Sequence, residues 1–124
     1  MAYRTYVPER GDIVHLNFSP SAGHEMSGPH YALVLSPDLY NRKSEMCLLV
    51  PITNRIRGGP FEVPLPKGIL PPKSDTGEVD SVILSDAVRQ VDYRERSATK
   101  VGSCPRATID AVIEQTLAIL DPQA

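Results

Sequence analysis

Residues 8–53 decide the fold, and they read PERGDIVHLNFSPSAGHEMSGPHYALVLSPDLYNRKSEMCLLVPIT. Three apolar runs lie in this segment. Residues 14–18 alternate apolar and polar side chains with period 2, which is typical of a half-buried strand. Residues 31–36 and 46–53 are almost wholly apolar, which favours central strands of a sheet. Pro and Gly residues between 19 and 30 predict a long loop between the first two strands.

The rest of the chain continues this pattern and ends in a helix. Short strands are predicted at 61–65, 79–84, 88–91 and 98–102, with a helical turn at 37–42 and an irregular excursion at 66–78. Pro105 suits the first residue of a helix capped by Ser103 or Cys104. Five to seven strands with one helix predict a mainly β fold, a small, strongly curved antiparallel barrel closed by the C-terminal helix. That helix has an apolar stripe at i, i+3, i+4 spacing, formed by Ile109, Val112, Ile113, Thr116, Leu117 and Leu120.

Length and charge limit the possible partners. A chain of 124 residues is expected to form one domain over residues 1–124. Its net charge of −2 gives no general attraction for nucleic acid, so any polyanion must bind a local basic patch. One such patch lies at 53–74, where Arg55, Arg57, Lys67 and Lys73 face Glu62 alone. This block could be a loop that contacts phosphates or simply a solvated surface, and charge does not decide between them.

Several classes of site are not expected. Cys47 lies in an apolar run and is predicted to be buried, and Cys104 has no cysteine at metal or disulfide spacing. No pair of histidines has the spacing of a metal site, so neither a metal nor another cofactor is expected. No apolar run approaches the roughly 18 residues that span a bilayer, and no leader follows Met1. We therefore expect a cytoplasmic protein without a membrane partner.

The candidate chemistry lies at the strand ends. His24, Glu25 and His30 belong to the long loop and its exit, and Thr53 ends the third strand. Strand ends lie close together in a small barrel, so these groups can converge. An imidazole with a pKa of about 6.5 exchanges protons near neutral pH. Such a set suits RNA cleavage, in which the 2′-hydroxyl attacks phosphorus, the 5′-oxygen leaves and a cation or strong donor offsets the charge.

Each of these four side chains also has a purely structural interpretation: a turn residue, a surface carboxylate, a cap at the sheet edge and the end of a strand. Asp86 and Arg89, three residues apart, could form a structural ion pair. Arg55 and Arg57 could be ordinary loop charges. The residues alone therefore predict a small β-barrel with a possible polyanion site.

The order and spacing of several motifs point to a known family. They are Arg-Gly-Asp-Ile-Val at 10–14, Ser-Pro-x-x-Gly-His-Glu at 19–25, Ala-Leu-Val-Leu-Ser-Pro at 32–37, Val-Pro-Ile-Thr at 50–53, Pro-Phe-Glu-Val at 60–63 and Val-Ile-Leu-Ser-Asp-x-Val-Arg at 82–89. Together with Asn41 and Cys47 they resemble the MazF/PemK family of toxin–antitoxin endoribonucleases. The likeness runs from about Pro8 to Leu120.

The resemblance implies a homodimeric PemK-type barrel, related to SH3-like barrels. It implies sequence-selective, metal-independent cutting of single-stranded RNA, usually mRNA, to 2′,3′-cyclic phosphate and 5′-hydroxyl ends. It also implies a MazE-like antitoxin whose acidic, disordered segment wraps the dimer and covers the RNA groove.

Roles follow from matching positions. By resemblance, Glu25 is the loop carboxylate, which with His24 would accept the proton, and Thr53 would hydrogen-bond the scissile phosphate. His30 stands where most members have the arginine of Gly-x-Arg-Pro, so it becomes the proposed acid and phosphate partner. Asp86 would read a base. Backbone-holding roles are expected for Arg55, Arg57 and Arg89.

Two departures from the family pattern leave alternatives open. Tyr31 replaces the proline that usually follows the arginine, and Ala87 replaces a usual glutamine, so one base-reading contact is expected to be lost. The changes at His30 and Ala87 leave room for a catalytically weakened RNA-binding module. A further alternative is a toxin of the same barrel type that binds DNA gyrase, although residues 115–124 lack the aromatic finish of that class.

Overall fold

Seven strands and two helices follow one another in the computed structural model, which describes residues 6–19, 28–71 and 80–123. The predicted mainly β chain with a C-terminal helix is confirmed. The elements are β1 Asp12–Asn17, β2 Pro29–Val34, α1 Asp38–Ser44, β3 Cys47–Thr53, β4 Glu62–Pro64, β5 Val82–Leu84, β6 Arg89–Val91, β7 Thr99–Ser103 and α2 Arg106–Leu120.

The strands form one antiparallel sheet in the order β4-β5-β3-β2-β1-β7. Both β5 and β6 pair with β3: Val82 lies opposite Thr53, and Arg89 lies opposite Leu49. β5 and β6 therefore pair with different parts of β3, and the chain turns between them. Within the described residues the hydrogen-bond ladders do not close the barrel, because β4 and β7 remain its two ends.

The central strands are apolar because both of their faces are covered. Ile13, Leu33 and Val50 belong to one core cluster, which packs against α2. Their neighbours Val14 and Ala32 belong to a second cluster on the opposite face, since successive strand residues point to opposite sides. This double burial explains why β2 and β3 show continuous apolar runs rather than alternation.

The predicted apolar stripe lies on α2, and its first turns are buried while its end is exposed. Ile109, Val112 and Thr116 are buried. Leu117 and Leu120 are 50% and 75% exposed. The cap prediction is also wrong: Pro105 itself is the N-cap residue, and neither Ser103 nor Cys104 caps the helix.

The buried side-chain amide of Asn41 links α1 to Pro8 and Ser36. The side chain of Asn41 in α1 is fully buried and donates to the carbonyl oxygens of Pro8 (2.8 Å) and Ser36 (3.0 Å), and it accepts a bond from the Ser36 hydroxyl at 2.5 Å. Tyr93 donates to the Asn41 carbonyl at 2.9 Å. Because every polar atom of this amide finds a partner, its burial is compatible with a stable core.

The start of β1 is fixed by tight contacts. Gly11 has a φ of +95°, a left-handed conformation that favours glycine, and a Cβ there would also lie 2.7 Å from Cδ1 of Ile109, so that side chain would have to shift. The buried Asp12 carboxylate accepts bonds from the Tyr6 hydroxyl (2.5 Å) and the Glu9 N–H (3.0 Å) and pairs with Lys100 at 3.3 Å. Burial, and then the bond to Asp12, raise the pKa of Tyr6.

Cys47 is buried as predicted, and burial raises the pKa of its thiol to about 12. Neither of the two helices in the described ranges combines the length and apolar character that crossing a membrane would need.

Candidate active site

Two of the predicted site residues lie on neighbouring strands at the same end. In the β2–β3 ladder Tyr31 is opposite Ile52, so extending the register by one residue brings His30 opposite Thr53. Directly opposed residues of an antiparallel pair point to the same face, with Cβ atoms about 4.5–5.5 Å apart. The face is that of Ala32, opposite to the one covered by α2. Both side chains are half-buried.

Thr53 also shapes the loop that follows it. Its hydroxyl accepts the backbone N–H of Arg55 at 3.1 Å. Further along, the carboxylate of Glu62 accepts the N–H groups of Arg57 (3.1 Å) and Gly58 (2.9 Å). Residues 54–59 are called the basic loop below. These hydrogen bonds hold its backbone at both ends, while the side chains of Arg55 and Arg57 are exposed. Neither guanidinium forms an ion pair with a residue that the structure describes.

Phe18, His30 and Arg89 meet on the same face. The rings of Phe18 and His30 have centroids 6.1 Å apart and a tilt of 53°. The Arg89 guanidinium carbon lies 5.4 Å from the centroid of the Phe18 ring, and its Nη1 donates to the Phe18 carbonyl oxygen at 3.3 Å. β6 thus brings a cation to the ring that the His30 imidazole also contacts.

The loop that carries His24 and Glu25 begins and ends beside this group. The Phe18 N–H donates to the Gly28 carbonyl, and the Gly28 N–H donates to the Ser19 hydroxyl, both at 2.8 Å. These two bonds close the mouth of the loop two residues before His30. His24 and Glu25 themselves lie outside the described residues, so their positions relative to His30 and Thr53 stay predictions.

The side chain of Asp86 is exposed at the turn between β5 and β6. None of the ion pairs found between described residues joins it to Arg89, so the structural interpretation of this pair has no support there. The neighbouring Ser85 anchors the turn to α2, because its carbonyl accepts the Thr116 hydroxyl at 2.8 Å and its own hydroxyl lies 2.6 Å from the Gln115 amide oxygen. The exposed carboxylate is available for contacts with another molecule.

Two residues of this region were not among the sequence candidates. Phe18 gives a weak signal, since it is the last apolar residue before the loop. Arg96 gives none: its Nη1 donates to the carbonyl oxygens of Asn17 (3.2 Å) and Ser19 (2.9 Å), across a separation of almost 80 residues. These bonds hold the first side of the loop mouth.

The described groups can bind and act on a phosphodiester. An imidazole can exchange a proton, the Thr53 hydroxyl can donate to a phosphate oxygen, and the guanidinium groups of Arg55, Arg57 and Arg89 can attract the backbone charge. Within the described ranges no three His, Cys, Asp or Glu side chains cluster as metal ligands would.

Comparisons with known proteins give a consistent result. Residues 9–120 match a family model described as "PemK-like, MazF-like toxin of type II toxin-antitoxin system". The chain is 43% identical to the endoribonuclease toxin MazF of Escherichia coli K12 over 98 residues, which cover 79% of this chain and 80% of that protein. It is 38% identical to the endoribonuclease toxin ChpB of the same strain over 113 residues, 88% of this chain and 87% of the other.

Solved structures agree with the sequence matches. The crystal structure of MazF from Deinococcus radiodurans superposes with a TM-score of 0.81 at 38% identity, covering 94% of this chain and 98% of that one. A MazE-MazF structure from the same organism gives a TM-score of 0.77 at 33% identity with the same coverage.

Proposed function

The chain belongs to the PemK-like, MazF-like toxins of type II toxin–antitoxin systems and is an endoribonuclease, and we propose that it cuts single-stranded RNA, chiefly mRNA, at preferred sequences. It works without a metal ion or other cofactor. The products carry 2′,3′-cyclic phosphate and 5′-hydroxyl ends, because the attacking nucleophile is the RNA's own 2′-hydroxyl.

One observation supports this assignment above the others: continuing the β2–β3 register by one pair beyond Tyr31 and Ile52 brings His30 opposite Thr53, beside the closed mouth of the loop that carries His24 and Glu25. A phosphodiester held there has a proton donor and a hydroxyl on one side. We propose that His24 and Glu25 of the loop supply the proton acceptor. Such an arrangement supplies acid–base catalysis together with the alignment that in-line displacement needs.

The proposed reaction is a single transfer followed by release. Glu25, with His24, takes the proton of the 2′-hydroxyl, whose oxygen forms a bond to phosphorus. The bond between phosphorus and the 5′-oxygen breaks, and His30 gives its proton to that leaving oxygen. Thr53 donates a hydrogen bond to a phosphate oxygen while negative charge accumulates there.

The basic loop holds the flanking part of the RNA strand, and β6 brings a further cation to its backbone at the site. Arg55 and Arg57 are exposed next to Thr53 and contact the flanking phosphates, and Arg89 adds a positive charge from β6. The exposed carboxylate of Asp86 accepts a hydrogen bond from an amino group of a base, which makes it a candidate for sequence selection. Ala87, with its methyl side chain, offers no such bond.

The partners of this chain follow the same proposal. Two copies form a homodimer, and a MazE-like antitoxin binds the dimer and blocks RNA; the MazE-MazF structure of the Deinococcus relative supports this assignment. The chain acts as a single domain spanning residues 1–124. It works in the cytoplasm, where mRNA is found and where free thiols such as those of Cys47 and Cys104 persist.

The test uses one long single-stranded RNA in excess chelator. Cut sites and end chemistry are mapped, and a short oligonucleotide spanning one site then serves as substrate. Cyclic-phosphate ends are expected, His30→Ala should abolish cutting, and Thr53→Ala should slow it severely. His15→Ala is the matched control, because this histidine lies on β1 and contacts Tyr31 on the opposite face. Intact RNA with inhibited DNA supercoiling would refute the proposal in favour of a gyrase toxin.

A further inference from the structure

We propose that Phe18 is a positioning residue of the RNA-cleaving site, which sets the spacing between the His30 imidazole and the Arg89 guanidinium. This inference rests on the proposed function, and it assigns a role to a residue that cannot touch RNA through its ring. The side chain is only 1% exposed and lies in the core cluster opposite to α2.

The Phe18 ring contacts both His30 and Arg89. The His30 ring lies 6.1 Å from it, and the Arg89 guanidinium carbon lies 5.4 Å from it. The imidazole and the guanidinium carbon are therefore no farther apart than these two distances added together. They come from strands that are far apart in the sequence. Because close-packed cores hold side chains in one rotamer, the buried ring fixes where both groups can lie.

The backbone of Phe18 holds the same region together. Its carbonyl accepts the Arg89 Nη1 at 3.3 Å, so the guanidinium is held by the ring and by the peptide of one residue. Its N–H closes the loop mouth by donating to Gly28 at 2.8 Å. A single residue thus contacts the cation, the imidazole and the entry of the loop.

This arrangement divides two tasks between two side chains. His30 is a proton donor but a weak fixed charge, whereas a guanidinium stays protonated and presents its donors in a rigid plane. The structure assigns the permanent charge to Arg89 and the proton to His30. The pair works only if both groups reach one phosphate, and Phe18 contacts both the guanidinium and the imidazole.

The first experiment separates positioning from core packing. Phe18→Leu removes the aromatic face, and Val34→Ala, at the far end of β2 in the same cluster, is the control for lost apolar volume. On the mapped oligonucleotide we expect kcat to fall about tenfold or more in Phe18→Leu, since small displacements of reacting groups are costly. KM should change little. The control, matched for thermal stability, should keep its kcat within about twofold.

The second experiment tests the link to Arg89. Arg89→Lys keeps the charge and loses the planar contact with the ring and the carbonyl. If Phe18 acts through Arg89, adding Phe18→Leu to Arg89→Lys should lower kcat much less than it does in the natural protein. Multiplicative effects of the two changes would overturn the proposal.

The outcomes also distinguish the positioning role of Phe18 from the proposed function on which it rests. If the natural protein leaves RNA intact, the proposed function fails. If the natural protein cuts RNA and Phe18→Leu cuts it equally fast, only the positioning role fails. Should Phe18→Leu not fold, Phe18→Met, which fills the cavity with an unbranched chain, takes its place with the same expected loss.

Discussion

Replacing Thr53 by valine tests the site with the least disturbance of the fold. The two side chains have almost the same shape, and only the hydroxyl is lost. That hydroxyl accepts the Arg55 N–H at 3.1 Å in an exposed turn where water can replace it. The expected loss of folding stability is therefore small, about 0.5–1 kcal/mol, or roughly 2–4 °C in Tm.

Catalysis should suffer far more than stability. A hydrogen bond to a charged phosphate contributes about 1.5–3 kcal/mol, so kcat/KM should fall roughly tenfold to a hundredfold in Thr53→Val. Thr53→Ser keeps the hydroxyl and should remain within a few-fold of the natural protein. The assay is the initial rate of cleavage of the mapped oligonucleotide in chelator, at matched folded fraction. If valine and serine variants cut at similar rates, the phosphate contact assigned to Thr53 does not exist.

Four further outcomes are expected. His30→Arg, which restores the usual family residue, should retain or raise the cleavage rate; complete loss would show that the pocket fits only an imidazole. Replacing Arg55 and Arg57 together by glutamine should reduce the salt dependence of RNA binding by a slope of about 1.4, measured by anisotropy, with an unchanged slope counting against phosphate contacts. Asn41→Ala should cost about 3–5 kcal/mol in urea unfolding, because it leaves buried carbonyls without donors, and a loss under about 1 kcal/mol would contradict this. Cys47, whose pKa burial raises to about 12, should resist thiol reagents at pH 8 until the protein is denatured, so rapid labelling of the native chain would argue against its burial.

The strands could be predicted from the sequence where burial produces an alternating or continuously apolar pattern of side chains. β1 alternates and β2 and β3 are apolar, so all three were predicted within about two residues. The start of β2 was missed because Pro29 shows no strand signal and is paired only through its register with Asn17 of β1. The sequence predicts Pro105 as the first residue of α2, yet this residue is extended and its carbonyl accepts the N–H groups of Thr108 and Ile109.

The site was predictable only in part, for a related reason. His30 and Thr53 lie at the same end of β2 and β3, which are consecutive neighbours in the sheet, and sequence order already favours such pairing. The contact of Arg89 with Phe18 depends on β6 pairing with β3 beyond β5, and no local pattern encodes that register. The family resemblance therefore implies an RNA contact for Arg89, but no sequence pattern connects this residue with the Phe18 ring.

The charge distribution explains how a chain of net charge −2 can attract RNA. Several acids outside the site are matched by nearby bases: Asp80 lies 2.7 Å from Lys67, and Asp12 lies 3.3 Å from Lys100. In the described stretch that follows Thr53 the acid is Glu62, and its two oxygens accept backbone N–H groups. Because exposed charges are screened within about 8 Å at physiological salt, distant acids do not cancel the local field of Arg55 and Arg57. The attraction is therefore local, and an acidic antitoxin segment that covered this loop would remove it without changing the catalytic groups.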